Sequence, residues 1–393
     1  MSYRIRGRLG LVLSMAAAIA AALPSQAQTF YLIYTFTGEG DGGNPLGNLI
    51  INGTFLYGTA SFGGAYRAGT VFQINTVSKV ESMLHAFTGG PDDGAEPVAG
   101  LLRDKDGDLF GTTYVGGTHD FGTVFEFPAV GGYKVLHNFA GPTAQGSGPA
   151  GALVMDDAGI LYGTTYTGGD STGYGTVYEV MTDGTYETGQ SFSPDGALPR
   201  AGLYMESGHL YGTTSGGGAH NYGVTIFEVG VRSALYTFSG GPDGSSPLDS
   251  PIGDGEGNLY GTASTGGNGH LGKGDGVIFA FDISTGKETV LYTFSGPDGS
   301  APAGSLALDS GGNLYGTTLT GGAYDHGTVF ELTAGGTFQT LYNFTGGNDG
   351  GHPFAGVTLD SVGNLWGVAS QGGDAAAPDG HGTVFEIMLV GKG

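Results

Sequence analysis

Pro302-Ala-Gly-Ser-Leu-Ala-Leu-Asp309, Ser310-Gly-Gly312, Asn313-Leu-Tyr-Gly-Thr-Thr318, Gly321-Gly-Ala-Tyr-Asp-His-Gly327, Thr328-Val-Phe-Glu-Leu332, Ala334-Gly-Gly336 and Phe338-Gln-Thr-Leu-Tyr-Asn-Phe344 follow one another along a single stretch of the chain. Four short runs rich in β-branched and aromatic residues alternate with glycine-rich turns. The proline opens the first run, where no ladder N–H is needed. No segment carries a helical period over ten residues. The stretch therefore reads as four antiparallel strands over 302–309, 313–318, 328–332 and 338–344.

The same unit recurs seven times. Its anchor is an aromatic-Gly-Thr step, at Tyr57, Phe110, Tyr162, Tyr211, Tyr260 and Tyr315, with Trp366-Gly367-Val368 as a decayed seventh copy; successive anchors are 53, 52, 49, 49, 55 and 51 residues apart. A fixed period of this size marks a repeat architecture. Seven four-stranded units predict an all-β, seven-bladed propeller. The last repeat stops after Thr383-Val-Phe-Glu-Ile387, short of a fourth strand. Leu32-Ile-Tyr-Thr-Phe36, near the other end, has the fourth-strand pattern, so the N-terminal strand is expected to complete the last blade and close the ring.

Residues 1–27 read as a secretory leader: Arg4, Arg6 and Arg8, an apolar run from Leu9 to Leu23, and Ser25-Gln26-Ala27 as the cleavage site. That run is too short to span a bilayer, and no later one reaches the roughly 20 apolar residues required. The expected mature chain, residues 28–393, is one seven-repeat domain that is secreted, to the periplasm or beyond, and monomeric. It keeps 10 basic against 36 acidic side chains, a formal net charge of −26. Such a surface repels phosphates and anionic lipid, which argues against nucleic-acid and membrane partners. Cations, neutral glycans or basic proteins fit better. There is no cysteine, so thiol catalysis and thiolate-bound zinc are excluded; a chain this long buries enough surface to dispense with disulfides. Glycine reaches 82 of 393 residues without a Gly-X-Y period, and the regularly placed aromatics argue against disorder.

The ordered blocks Leu-Tyr-Gly-Thr-Thr, Gly-Gly, Gly-Thr-Val-Phe-Glu and Leu-Tyr-Thr-Phe resemble the GloVer-type tandem repeat of exported bacterial proteins, over essentially all of residues 29–390. The resemblance implies an exported repeat protein and carries over no catalytic residue. Family members often end in a sorting anchor; this chain ends Leu389-Val-Gly-Lys-Gly393, which implies a released form.

Residues common to all repeats are expected to build the fold, and function to lie where single blades depart from it. Loops after strands two and four share a face. The first set of loops, at 63–69, 116–122, 168–175, 216–223, 266–276, 321–327 and 372–382, carries His119, His220, His270, His326 and His381, with Asp120, Asp325, Arg67 and the tyrosines Tyr66, Tyr174, Tyr222 and Tyr324. The second set carries Pro-Asp steps such as Asp93, Asp195 and Asp298. Imidazoles, carboxylates and phenols on one face suit a glycan, a metal or a surface protein; the competing reading is ordinary polar loop residues too far apart to meet. Asp104, Asp106 and Asp108 resemble a Ca2+ loop, but they sit at a tight turn that favours Asp and Gly anyway and lack a twelfth-position Glu. The segment 267–274 spells a phosphate motif and 169–173 a nucleophile elbow; both motifs need a following helix, and strands follow here. Glu126, Glu179, Glu228, Glu331 and Glu386 share one strand-three position and are expected to bond to neighbouring blades. Trp366 is expected to fill a core gap. Three functional readings stay open: a non-enzymatic binding scaffold, a carbohydrate-active lyase or glycosidase working through loop His, Tyr, Asp or Arg, and a purely structural surface protein.

Overall fold

A computed structural model describes residues 28–389, apart from 144, 170–172, 195, 218–224, 232, 268–273 and 375–379. Residues 1–27, His220, Tyr222, His270, Asp195 and most of the two motif look-alikes lie outside the described residues. Seven four-stranded antiparallel sheets form a seven-bladed propeller. Blades 1 to 6 span 50–86, 102–138, 154–191, 203–237, 252–293 and 307–343, each with its strands in chain order from the axis outward. In blade 7, Val357–Leu359, Leu365–Ala369 and Thr383–Leu389 are completed by Gln28–Thr35. Ring closure by the N-terminal strand is therefore observed, with Gln28 opposite Leu389 and Thr35 opposite Thr383. No helix of the described residues is long and apolar enough to cross a membrane.

The anchor step acquires a physical meaning residue by residue. Its aromatic hydroxyl reaches the carboxylate at the first turn, as in Tyr162 to Asp156 and Tyr315 to Asp309. Trp366 is buried and makes the same contact through Nε1 to Asp360, 3.1 Å away. Its glycine lies under a strand-three ring: a Cβ on Gly316 would sit 2.6 Å from Phe330 Cζ. Its threonine donates to the innermost segment of the next blade, as Thr164 does to Ala201 O at 2.7 Å and Thr317 to Ala355 O at 2.7 Å. Val368 breaks the pattern in blade 7, where Thr358 reaches Leu49 O instead. Seven apolar clusters fill the seven gaps between blades. Each fully buried phenylalanine, such as Phe36, Phe87 or Phe330, contributes about 1.5–3 kcal/mol by burial.

Three details differ from the sequence reading. The first strand of blade 6 is only Ala307–Leu308, because residues 302–306 leave the sheet to pack at the axis. The closing strand starts earlier, at Gln28 rather than Leu32. The strand-three glutamates bond within their own blade: Glu126 to Lys134 at 2.7 Å, Glu228 to His209 at 2.6 Å, Glu386 to Asn364 at 3.2 Å. The reason is register, which sets each directly opposite the anchor aromatic, as Glu331 is to Tyr315.

The outer gaps carry a second repeated contact. An aromatic at the start of the outer strand stacks on a Tyr or His of the preceding blade: Tyr133 on His85 at 3.9 Å, Phe338 on Tyr292 at 3.9 Å, Phe30 on Tyr342 at 4.0 Å. In blades 1 and 5 the place is taken by Glu81 and Glu288. Burial, helped by Asp41 and Asp243 respectively, raises both carboxyls from 4.5 to about 7. A raised folded-state pKa stabilises fully below the unfolded value near 4.5, and that contribution is lost as pH rises through 7. The melting temperature is therefore expected to fall between pH 5 and pH 8, with a shallower fall in the Glu81→Gln/Glu288→Gln double variant. Parallel pH profiles for the two proteins would refute this assignment.

Candidate functional site

The two loop sets do share a face, tied by short bridges such as Gly43 with Phe62 and Ser300 with Thr320. The predicted side chains on it serve the loops themselves. Asp120 and Asp325 sit at φ +61° and +62° and accept the N–H of Gly116 and Gly321 at 2.9 and 3.0 Å, closing their own turns. Arg67 holds the same place in blade 1, its guanidinium 5.5 Å from the Phe62 ring. Tyr66, His119 and Tyr324 are exposed at equivalent loop tips on separate blades. His326 lies over Gly346 and His381 over Gly38, where a Cβ would strike either imidazole. His326 Nδ1 is also 3.4 Å from His352 Nε2. Asp104 Oδ1 accepts the N–H groups of Asp106, Gly107 and Asp108, the turn geometry expected of Asp there; Asp108 accepts from Ala129 and Asp106 pairs with Lys105. Among the described residues, no three His, Asp or Glu side chains are grouped to hold a metal ion. The Pro-Asp loops also use their acids internally: Asp93 accepts from Thr88, Gly94 and His85, and Asp349 from Tyr342 and Thr345. Burial opposes the charge on Asp93, yet those hydrogen bonds hold its carboxyl below the ordinary value.

Side chains from separate blades converge elsewhere, at the propeller axis. Each blade enters its innermost strand through a proline step, at Pro45, Pro97, Pro149, Pro199, Pro247, Pro302 and Pro353, followed by one variable residue and two small ones except for Asn48 in blade 1 and Asp249 in blade 5. These steps meet in a cavity of about 340 Å³, within the usual range for ligand pockets. The residues after proline make an apolar rim of Leu46, Val98, Ala150, Leu248 and Phe354, interrupted by one cation, Arg200. Glu96, Tyr114, Tyr166 and Asp249 add to the polar lining, with Asn48, Ser250 and Ser305. The Arg200 guanidinium lies 4.8 Å from the Tyr166 ring centroid, and its Nη2 donates to the Tyr166 hydroxyl at 3.3 Å. A cation so placed is held partly by the ring quadrupole.

The residue before each proline is left-handed in all seven blades, and only blade 3 uses glycine there; Glu96, at φ +54°, is one of the six others. At the floor, Asp249 accepts the N–H groups of Ser250 and Ser305, both at 2.7 Å. Asn48 donates to Ser305 Oγ at 2.6 Å and accepts from Gly356 N at 2.8 Å, which joins blades 1, 6 and 7. Asp249 keeps partial exposure to the cavity. Protein surrounds its other sides, so desolvation raises its carboxyl despite the opposing N–H donors. A larger cleft of about 440 Å³, near Phe192 and Phe227, has no ionisable side chain among the described residues that line it.

None of the described loop residues singled out from sequence lines the axial cavity. The signal that marks the cavity was present in the repeats: Arg200 is the one charged residue at its repeat position, Asp249 the one acid at the next, and Tyr114 and Tyr166 stand where blades 1, 4, 5 and 7 have serine.

The architecture defines a seven-bladed β-propeller with a polar axial cavity. The family model of the Gloeobacter/Verrucomicrobia repeat matches residues 22–227, 78–273 and 225–392, and the chain belongs to that family. No curated protein matches its sequence. Among solved structures it is similar to the computationally designed Ika8 protein, at 14% identity and a TM-score of 0.51 over 91% of this chain and 99% of that one. It is also similar to the gluconolactonase XC5397 of Xanthomonas campestris, at 14% identity and a TM-score of 0.47 over 92% and 89%. A chain of a nidogen/laminin complex gives 16% identity and a TM-score of 0.42 over 65% and 81%. At these identities the likeness is one of fold.

Proposed function

We propose that this chain is an exported, non-enzymatic recognition module that takes its ligand in the axial cavity. One observation supports the reading above others: polar and aromatic side chains from all seven blades converge in a preformed concavity, which is how small-ligand sites are built. The leader-like residues 1–27 support export, and the acidic surface supports a non-nucleic-acid, non-membrane partner. The test is a binding panel of neutral and acidic oligosaccharides, cations and basic proteins against residues 28–393, with assays for new reducing ends and unsaturated sugars. Saturable binding without product is expected. Product formation would replace this reading with an enzyme, and a blank panel would favour a purely structural role.

A second reading, a lyase, is favoured by one specific contact: the Tyr166 hydroxyl lies 3.3 Å from Arg200. In that chemistry a phenolate would take the proton beside a sugar carboxylate held by the guanidinium. A C4–C5 double bond forms as the C4–O bond breaks, and the leaving oxygen takes up the proton that the Tyr166 phenol then carries. Unsaturated product that disappears in Tyr166→Phe is the result this second reading requires.

A further inference from the structure

We propose that the axial cavity recognises a sugar bearing a single carboxylate, with Arg200 holding that carboxylate. The inference rests on the recognition reading above and specifies its ligand.

The cation carries the argument. The expected mature chain has only 10 Lys and Arg side chains, and among the described residues Arg200 is the only one that lines this cavity. Among the described residues no carboxylate lies within ion-pair distance of it. An arginine in so acidic a protein has many potential partners, yet this one faces the cavity with its counter-ion position open. Its guanidinium rests over the Tyr166 ring, and among the described residues one N–H is committed, to the Tyr166 hydroxyl. The other donors form the planar fork that matches a carboxylate with two parallel hydrogen bonds, and pre-orientation lowers the entropy lost on binding.

The remaining lining selects the body of the ligand. Tyr114 and Phe354 offer aromatic surface, while Glu96 and Asp249 offer acceptors for hydroxyls. The same two acids repel a second negative charge, which disfavours phosphate, sulfate and densely charged ligands. The Oδ atoms of Asp249 are already aligned by two backbone N–H groups, so the acceptor is held in place. A volume of about 340 Å³ lies at the small end of ligand pockets, enough for roughly one or two sugar rings.

The test is calorimetric titration of residues 28–393 with three probes: methyl galacturonide, which carries one carboxylate, neutral methyl galactoside, and N-acetyl-alanyl-alanine as a peptide carboxylate. Methyl galacturonide is expected to bind about tenfold to a hundredfold more tightly than methyl galactoside, the range for a charge-assisted hydrogen-bonded pair. Arg200→Ala is expected to remove that advantage, Arg200→Lys to restore part of it, and Val130→Ser, remote from the cavity, to leave it intact. Raising the salt concentration is expected to weaken the acidic sugar and not the neutral one. Arg200 is exposed, so the alanine variant is expected to fold; an unchanged melting curve verifies this. Equal affinity for both sugars, or an unchanged affinity in folded Arg200→Ala, overturns the inference and leaves the recognition reading standing. Peptide binding as tight as the uronate overturns the sugar assignment. No sugar binding by folded wild-type protein also overturns it, and the wider panel then decides the recognition reading separately.

Discussion

A chain that starts at residue 37 is expected to lose cooperative folding. Residues 28–36 supply the whole outer strand of blade 7, hydrogen-bonded along Thr383–Leu389 and extended by Phe36 N to Gly382 O at 3.0 Å. They also bury Ile33 and Phe36 in the gap between blades 7 and 1, and stack Phe30 on Tyr342 in the gap between blades 6 and 7. Losing Ile33 and Phe36 alone removes about 3–6 kcal/mol of burial, comparable with the 5–15 kcal/mol net stability of an ordinary domain. It also bares a seven-residue strand edge, a template for aggregation. The measurement is thermal unfolding followed by circular dichroism, with size-exclusion chromatography. Broad melting and soluble aggregates are expected, and a synthetic 28–36 peptide added in trans is expected to restore a sharp transition by strand addition. A truncated chain that melts as wild type would show that the ring does not depend on this closure.

Gly304→Val is expected to be the most damaging single substitution at the axis. A Cβ on Gly304 would lie 2.1 Å from Gly356 N, a backbone atom of the next blade that cannot rotate aside. Gly356 in turn donates to Asn48 and would strike Ser305 O, 1.9 Å away, if it carried a Cβ. Blades 6, 7 and 1 therefore meet backbone to backbone, and any side chain at residue 304 pushes them apart. Overpacking on this scale costs on the order of 3 kcal/mol, a fall in melting temperature of roughly 5 °C or more for a chain of this size. Gly316→Ala is the informative comparison. Its clash is with the tip of the Phe330 ring, which can shift, so a smaller loss is expected. Equal losses for the two variants would mean that the axial backbone contact carries no special constraint.

How far the sequence revealed this structure follows from what periodicity reports. Strand runs such as Thr328–Leu332 were legible because β formers and glycine turns alternate locally. Closure was legible because the closing repeat lacks its fourth strand while Leu32–Phe36 carries that pattern. The length of the innermost strand was not legible: Gly304 and Ser305 continue an apolar strand-like run, but contacts with residues more than fifty positions away draw them out of the sheet. The partners of the strand-three glutamates depend on register, which a spacing argument does not supply. For the site, the loop histidines drew notice because imidazole is chemically versatile, yet the described ones, His119, His326 and His381, stand on separate blades, and His326 and His381 pack on neighbouring loop glycines. The axial set is spread over residues 96, 114, 166, 200 and 249, and only the ring brings them together. Comparing equivalent positions blade by blade would have isolated Arg200 and Asp249, because each is alone of its charge at its place.

The most direct test sets the axial cavity against the loop tips with whichever sugar binds best. Binding should be measured for wild-type protein, for Ala150→Trp, which fills the cavity from its rim, and for His119→Ala/His326→Ala. Loss of binding in Ala150→Trp with wild-type affinity in the double alanine variant is the predicted result. Retained binding in Ala150→Trp, or its loss in the double alanine variant, would place the ligand on the loops and contradict the axial site.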